Sequence, residues 1–348
     1  MSVKLEKLLI NGLYNKCNIE WNFNDSISVI VGDNGVGKST ILQILYCLLL
    51  PTALENNPKI ISLFNSVELY LTNGYVIRFS TKNREMDPEM FNVLSRVMKD
   101  SEFLEALNKN LNKRKKTPDQ IKKIKKRMSE VFELINNINN QDISVIGKEL
   151  IISLSDNEGR NIKISNLRNL FNVELVSTLF MSANSANEIK GSDGNVFTIL
   201  DLEIDKQLSR LNSMDNNGLL KDTLIKKIND FLIDKKAQFI DGNLLFELDG
   251  NLGIIPISDL SSGERQLIYI LLKTIILSDI SSSQTSILIM DEPEISLHLS
   301  WQEKLLNCLY DINPNSQIIV ATHSPAIVMD GWMNSYKDIK DIVNVSYE

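Results

Sequence analysis

The nine residues Gly32-Asp33-Asn34-Gly35-Val36-Gly37-Lys38-Ser39-Thr40 constrain this chain more than any other stretch. They follow SISVIV (26–31), a short β-rich run, and lead into STILQILYCLLL (39–50), which reads as a helix opening on Ser39. Strand, glycine loop and helix are the context in which G-x-x-x-x-G-K-[ST] means a phosphate-binding loop. The glycines let the backbone curl until its N–H groups face phosphate oxygens. Asp33 to Thr40 therefore form the expected nucleotide cradle: Asp33, Asn34, Gly35, Gly37, Lys38, Ser39 and Thr40, with Lys38 reaching the outer phosphates and Ser39 binding Mg²⁺ through its hydroxyl. In an open α/β sheet such a ligand sits at the carboxyl ends of the parallel strands.

A second stretch supplies the acids this loop needs. In SILIMDEPEISLH (286–298), Ile287 to Met290 predict a buried parallel strand ending on Asp291 and Glu292. Asp291 is placed to hold Mg²⁺ through its water shell. Glu292 beside it is the natural general base for an attacking water, and phosphoryl transfer asks for positioning and charge stabilisation more than covalent chemistry. The chain has two histidines, His298 and His323. His323 follows another buried strand, Gln317 to Ala321, where it could sense or polarise the terminal phosphate. A metal site built on the two histidines is the alternative, and no H-x-x-x-H or C-x-x-C spacing supports it. Upstream of the loop, VKLEKLLINGLYNKCNIEWNFN (3–24) reads as two strands around a turn near Asn11–Lys16. That hairpin either lies over the nucleotide, touching it through Tyr14 or Lys16, or is an ordinary edge hairpin.

The run LSSGERQ (260–266) precedes the apolar LIYILL. It reads as a helix N-terminus, whose unpaired N–H groups and positive dipole end favour an anion.

Composition sets the outer limits. At 348 residues with 43% apolar content the chain supports one large domain or two ordinary ones. No apolar run reaches the ~18 residues of a membrane span. The N-terminus, MSVKLEKLLI, alternates apolar and polar residues and lacks a signal-peptide layout, so a cytoplasmic protein with no membrane partner is expected. Cys17, Cys47 and Cys308 are scattered and read as reduced thiols. The net charge is −7, yet residues 109–127 hold ten Lys or Arg against one acid, so the remainder carries −16. An acidic body thus bears one basic arm.

That arm lies between the two motif groups. Thr117-Pro118-Asp119-Gln120 fits a capping box with Pro at the first helical position. Ile121, Ile124, Met128, Val131, Ile135 and Ile138 then step by three and four, a seam too short for a free coiled coil. A helical hairpin packed on a partner or on a second insert fits it better. ELIISLSDNEGRNIKIS (149–165) predicts a β-hairpin, and 201–235 predicts amphipathic helices. For Lys113–Arg127 three readings stay open: nucleic-acid backbone binding, docking to an acidic protein, and a solvated helix face. No aromatic residue interleaves the lysines, which counts against base stacking.

Taken together, these motifs resemble the ABC-type ATPases, and within them the soluble group related to SMC, RecF and OLD proteins. GDNGVGKST looks like Walker A, LSSGE like the signature, ILIMDE like Walker B, ISLH (295–298) like the D-loop, and Thr322-His323-Ser324 like the switch-histidine loop. DEPEISLH resembles the AAA15/AAA21-type ATPases of bacterial anti-phage systems, such as PARIS-like or Septu-like ATPase subunits. The resemblance implies an α/β ABC-type head: a P-loop parallel sheet with N-terminal antiparallel strands and a helical arm insertion. The head would span 1–84 and 239–348, with arm insertions at 85–145 and 195–238 and a β segment at 146–194 returning to the core.

It also implies a mechanism. Two copies would sandwich two ATP·Mg²⁺ head to tail, so that Ser261, the N–H of Gly263 and the helix opening there meet the γ-phosphate held by the other copy, with Glu264 of the signature counted in the same cofactor-binding set. Ser261 and Gly263 match the signature's Ser and second Gly, while Ser262 stands where the family has Gly. The Q-loop glutamine is missing from VSTLFMSANSANEI (176–189), which offers Ser182 or Asn184. OLD nucleases carry a Toprim domain after the ATPase, and only 24 residues follow Ser324 here. An ATPase is therefore expected, with Glu292 and His323 as catalytic residues and slow turnover, controlling a separate effector such as a Toprim-type or HNH-type nuclease in anti-phage defence. The alternative is a RecF/SMC-like DNA-binding ATPase of repair or recombination, and a transporter subunit fits the motifs less well.

Overall fold

Short unbroken apolar runs become strands buried on both faces, because helices or a second sheet cover each side. The computed structural model describes residues 3–33, 35–56, 58–83, 144–145, 148–156, 158–162, 170–177, 188–190, 196–215, 217–250, 252–279 and 284–345. Its main elements in chain order are β1 (Leu5–Leu13), β2 (Cys17–Asn22), β3 (Ile27–Val31), α1 (Lys38–Leu49), β4 (Ser66–Leu71) and β5 (Val76–Asn83). Then come β6 (Lys148–Ser155), β7 (Phe171–Val176), α2 (Ile199–Met214), α3 (Leu219–Asn229), β8 (Lys235–Ile240), β9 (Asn243–Leu248) and β10 (Ile254–Pro256). The chain closes with α4 (Ser262–Ser278), β11 (Thr285–Asp291), α5 (Leu299–Ile312), β12 (Gln317–Thr322), β13 (Tyr336–Asp338) and β14 (Val343–Val345).

Two sheets dominate. The first has five parallel strands in the order β13-β3-β12-β11-β7. The second is antiparallel, in the order β14-β2-β1-β4-β5-β6, and two further short strands, Ser144–Val145 and Asn161–Ile162, pair with β6. Alternation along the central strands sorts their side chains to two cores. Ile287 and Ile289 of β11 and Ile319 of β12 face α1 and the antiparallel sheet. Leu288, Met290, Ile318 and Val320 face α4 and its neighbours. α4 is buried around nearly its whole circumference from Leu267 to Leu277, as a helix apolar on every side must be.

Polar ties fix these layers. Gln317 accepts from Leu5 N–H (2.8 Å) and donates to the Leu5 and Asn24 carbonyls (2.9 Å each), joining the two sheets at one end. Glu174 of β7 is buried and takes both Arg210 of α2 (2.5 Å) and Lys273 of α4 (2.6 Å). Two cations on one carboxylate compensate its lost hydration.

The amphipathic helices expected at 201–235 are α2 and α3. They bury Leu200, Ile204, Leu211, Leu224 and Ile228 in the same core as α4. They are therefore a layer of the head rather than a projecting arm. Their buried residues recur every three or four positions, so each helix lays one face on that core. The hairpin expected at 149–165 corresponds to β6 and the short strand Asn161–Ile162. The seam from Ile121 to Ile138 and the basic stretch Lys113–Arg127 lie outside the described residues. No helix among the described residues is long and apolar enough to cross a membrane.

Candidate nucleotide site

The parallel strands end on one edge, and the site is built there. Gly37 caps α1 at φ +97°, and Gly35 sits at φ +79°, backbone that side chains rarely adopt. Gly32 is required for a different reason: a Cβ there would collide with Cγ2 of Ile339. Lys38 is the first residue of α1 and is buried. Its Nζ donates to the carbonyls of Gly32 (2.8 Å) and Asp33 (3.0 Å) and lies 2.8 Å from Nε2 of His323. Burial pulls the Lys38 ammonium below its ordinary range, against the opposing pull of Glu292, Asp291, Glu294 and Asp33. A lysine whose charge burial penalises gains from a ligand that brings negative charge to it.

Ser39 Oγ donates to Oδ1 of Asp291 at 3.0 Å. Burial raises the Asp291 carboxyl, the Ser39 hydrogen bond partly offsets this, and Glu292 pushes it further up. A hydroxyl and a carboxylate side by side are a hard oxygen donor pair, the kind that suits Mg²⁺. Among the described residues no set of three or more His, Cys, Asp or Glu is arranged to hold a metal, so the pair fits a largely hydrated ion. Tyr14, at the tip of the β1–β2 hairpin, places its hydroxyl 2.5 Å from Thr40 Oγ1. Its ring covers Gly37, with Cε2 3.2 Å from the position a Cβ would take. Of the two expected hairpin residues, Tyr14 reaches the loop.

Glu292 follows β11 in the left-handed region at φ +49°. Its N–H donates to Ala321 O (2.7 Å), and its Oε1 stands 2.9 Å from His323 Nε2. A glutamate held there costs about 1–3 kcal/mol, and such strain concentrates at functional positions. His323 Nε2 thus lies between an ammonium and a carboxylate. The two histidines have different surroundings: His298 precedes α5, meets Trp301 edge-on and lines a cavity beside Ser261.

Two residues were missed by the motif reading. Glu294 Oε1 accepts from the Thr322 hydroxyl, from His323 N–H (2.9 Å) and from Ser324 N–H (3.2 Å). Gln302 accepts from Ser324 Oγ at 2.6 Å and donates to Leu297 O at 2.9 Å. The only signal for Glu294 was the second acid of DEPE, and Gln302 left none.

The signature lies elsewhere on the fold. Ser261 caps α4 in a reciprocal box: its hydroxyl and N–H both donate to Glu264 Oε2 at 2.8 Å, and Glu264 N–H returns a bond to Ser261 Oγ. Lys235 of β8 holds the other oxygen of Glu264 at 2.8 Å. Burial alone would raise the Glu264 carboxyl; Lys235 and Ser261 together hold it below the usual range. Gly263 has no room for a side chain, since a Cβ would collide with Ser296 O. Gln266 donates to Pro293 O at 2.7 Å, so α4 is fastened to the turn that follows the acidic strand. Beside Ser261 opens a cavity of about 410 Å³, walled by Phe231, Trp301 and His298. Ile233, which lines the cavity, stands exposed, as do Ile295 and Leu299 in the stretch around the lining residue His298. Asn34, Ser182 and Asn184 lie outside the described residues.

Residues 27–330 match the family described as "AAA domain, putative AbiEii toxin, Type IV TA system" (AAA_21). The "Retron Vc95 probable ATPase" of Vibrio cholerae serotype O1 biovar El Tor is 23% identical, over 90% of this chain and 69% of that protein. "Septu protein PtuA" of Bacillus thuringiensis is 22% identical, over 95% of this chain and 74% of its own length. Among solved structures, the "SmcHead bound to the C-winged helix domain of ScpA" aligns over 98% of this chain and 97% of that one, at 13% identity and a TM-score of 0.50. The chain has the fold of an SMC-type ATPase head.

Proposed function

The chain belongs to the AAA_21 family, and on that premise we propose that it is a defence-type ATPase whose nucleotide state switches a separate effector. One observation carries the reading: Lys38 Nζ and Glu292 Oε1 stand 2.8 and 2.9 Å from His323 Nε2 at the strand ends, next to the Ser39–Asp291 pair. The backbone from Asp33 to Thr40 would cradle the phosphates of ATP. Ser39 and Asp291 would hold Mg²⁺, which supplies charge neutralisation on the phosphate oxygens. ATP binding draws the Lys38 ammonium from the Gly32 and Asp33 carbonyls onto phosphate. His323 is then free to meet the terminal phosphate, and Glu292 to take a proton from water. The Glu292→Gln variant tests this. It should bind ATP normally and lose at least about 100-fold in turnover, the loss typical of a removed general base. Unchanged turnover would refute the assignment.

The signature supports a two-copy arrangement. Ser261 is hydrogen-bonded to Glu264, and Gly263 packs against Ser296 O, beside a cavity lined by exposed Ile233 and in a chain stretch that also exposes Ile295 and Leu299. A second copy bringing its ATP against the α4 N-terminus would use the helix dipole and cover that apolar surface. The measurement is the mass in solution of Glu292→Gln with ATP and Mg²⁺, expected at twice the monomer or more. A strictly monomeric protein would sink the sandwich. The effector is proposed as a nuclease encoded apart, of Toprim or HNH type, and both chains act in the cytoplasm. DNA is the second reading, favoured by the +9 charge of residues 109–127. ATPase stimulation by DNA, weakening steeply with salt, would select it.

A further inference from the structure

We propose that Glu294 is a positioning residue that sets the switch histidine against the nucleotide. The inference deepens the ATPase reading above and concerns the same site. Its basis is the convergence of donors on one atom. Glu294 Oε1 accepts from the Thr322 hydroxyl and from the N–H groups of both His323 and Ser324. Those three donors make up the whole turn by which the chain leaves β12. The carboxylate is buried, and its other oxygen has no hydrogen-bond partner among the described residues. An orphan oxygen on a buried carboxylate is a net cost to the fold. The arrangement persists because the loop is fixed in return.

Geometry says what that fixing achieves. A loop after a strand has two ways to satisfy its N–H groups, water or a side chain. Here both consecutive N–H groups are aimed inward at one acid 29 and 30 residues away in sequence. The peptide planes on either side of His323 are thereby set, and the imidazole is left pointing to Lys38 and Glu292. Glu294 touches neither of those side chains in a hydrogen bond, so it acts through the loop. It also joins two elements, the β12 turn and α4. Glu294 sits three residues after Asp291 and immediately after Pro293, whose carbonyl holds Gln266 of α4. A shift of the signature helix therefore reaches His323 through Pro293 and Glu294, and the reverse. The second acid of DEPE is the link between the terminal-phosphate sensor and the face offered to a second copy.

Three variants and one control test this. Glu294→Ala should leave the ATP dissociation constant within about threefold and lower kcat at least about 30-fold, because a transition-state contact is misplaced while ground-state binding remains. Glu294→Gln keeps a carbonyl acceptor in place and should hold kcat within about fivefold of wild type. Thr322→Val, an isostere lacking one donor, should lower kcat by about three- to tenfold, and its effect should vanish in the Glu294→Ala background. Lys38→Ala, the control, loses affinity as well. A direct readout stands apart from turnover. With two histidines in the chain, labelled imidazoles give two signals, and His298→Asn assigns them. Glu294→Ala should displace the His323 signal and leave His298 in place. The proposal is overturned if that signal does not move, if affinity falls as far as kcat, or if Glu294→Gln is as damaged as the alanine. A wild-type protein that hydrolyses no ATP would refute the ATPase reading, while the His323 signal would still decide the role of Glu294. Should the alanine variant not fold, Thr322→Val decides: a kcat and a His323 signal both equal to wild type would overturn the proposal.

Discussion

The two ends of the nucleotide machinery are built on opposite plans. At the strand ends, charged groups from distant parts of the chain meet one another: Lys38 touches His323, His323 touches Glu292, and Ser39 touches Asp291. At the signature, Ser261 is hydrogen-bonded to its near neighbour Glu264, and Gly263 is packed so tightly against Ser296 O that no side chain fits there. The first region holds an acid, a base and a cation that a phosphate would rearrange. The second is a capped helix start, which on the proposed function meets an anion held by another copy. A helix start held in place by its own cap presents its remaining N–H groups in fixed directions, which is the useful property in electrostatic catalysis. On the proposed function, the difference divides the chain into a binding half and a presenting half.

The sharpest way to break that division is to disable the binding half. Lys38→Ala should abolish ATP binding and turnover, with at least about 100-fold loss in kcat/KM, because the ammonium is the one buried cation at the loop among the described residues. Isothermal titration with ATP·Mg²⁺ and a phosphate-release assay give both numbers. If the variant still binds ATP as tightly as wild type, the line from Lys38 to Glu292 is structural and the division fails.

The presenting half should fail differently. Gly263→Ala drives a methyl group into Ser296 O, so α4 or the following turn must shift. Overpacking of this kind costs about 1–3 kcal/mol. ATP affinity should stay within about threefold and turnover should fall at least about tenfold, a split expected when only transition-state contacts are disturbed. Loss of affinity in step with turnover would show that the signature helix shapes its own chain's ATP site.

How much of this was legible before the fold was known follows from distance along the chain. Gly32 to Thr40, with the strand before and helix after, is a contiguous signal, and its strand–loop–helix form is what the structure has. Asp291 and Glu292 were legible because a buried strand ends on them. Glu294 was not: its meaning depends on the Thr322–Ser324 turn, and only the pairing of β11 with β12 brings them together. Gly263 looked like a phosphate contact, and its packing against Ser296 is invisible until α4 is laid on the turn after β11. Likewise α2 and α3 read as an arm because an apolar stripe does not say which core it joins.

A smaller effect sharpens the comparison through pH. The Glu264 carboxyl is held below its usual range, so the unfolded chain takes up its proton first as pH falls. The stability it contributes is full above the ordinary carboxylate value of about 4.3 and disappears as pH drops through the lowered one. Against Glu264→Gln, wild type should be more stable by about 1 kcal/mol at pH 7, the worth of a helix cap, and the gap should close below about pH 4. Urea midpoints at pH 7, 5 and 3.5 measure it. A gap that widens in acid would mean the Lys235–Glu264–Ser261 network does not brace the signature.

The smallest effect belongs to the hairpin, which adds a third surface to the binding half. Tyr14 is 41% exposed, yet it reaches Thr40 by its hydroxyl and Gly37 by its ring edge. Tyr14→Phe removes one hydrogen bond next to the loop and keeps the ring. A bond of that kind is worth about 0.5–1.5 kcal/mol, so ATP affinity should fall by about two- to tenfold with kcat unchanged. Tyr14→Ala uncovers Gly37 as well and should weaken ATP further while still sparing kcat. The order matters more than the size. A hairpin that merely edges the sheet would leave both variants at wild-type affinity, whereas one that roofs the phosphate loop must rank them wild type, Phe, Ala.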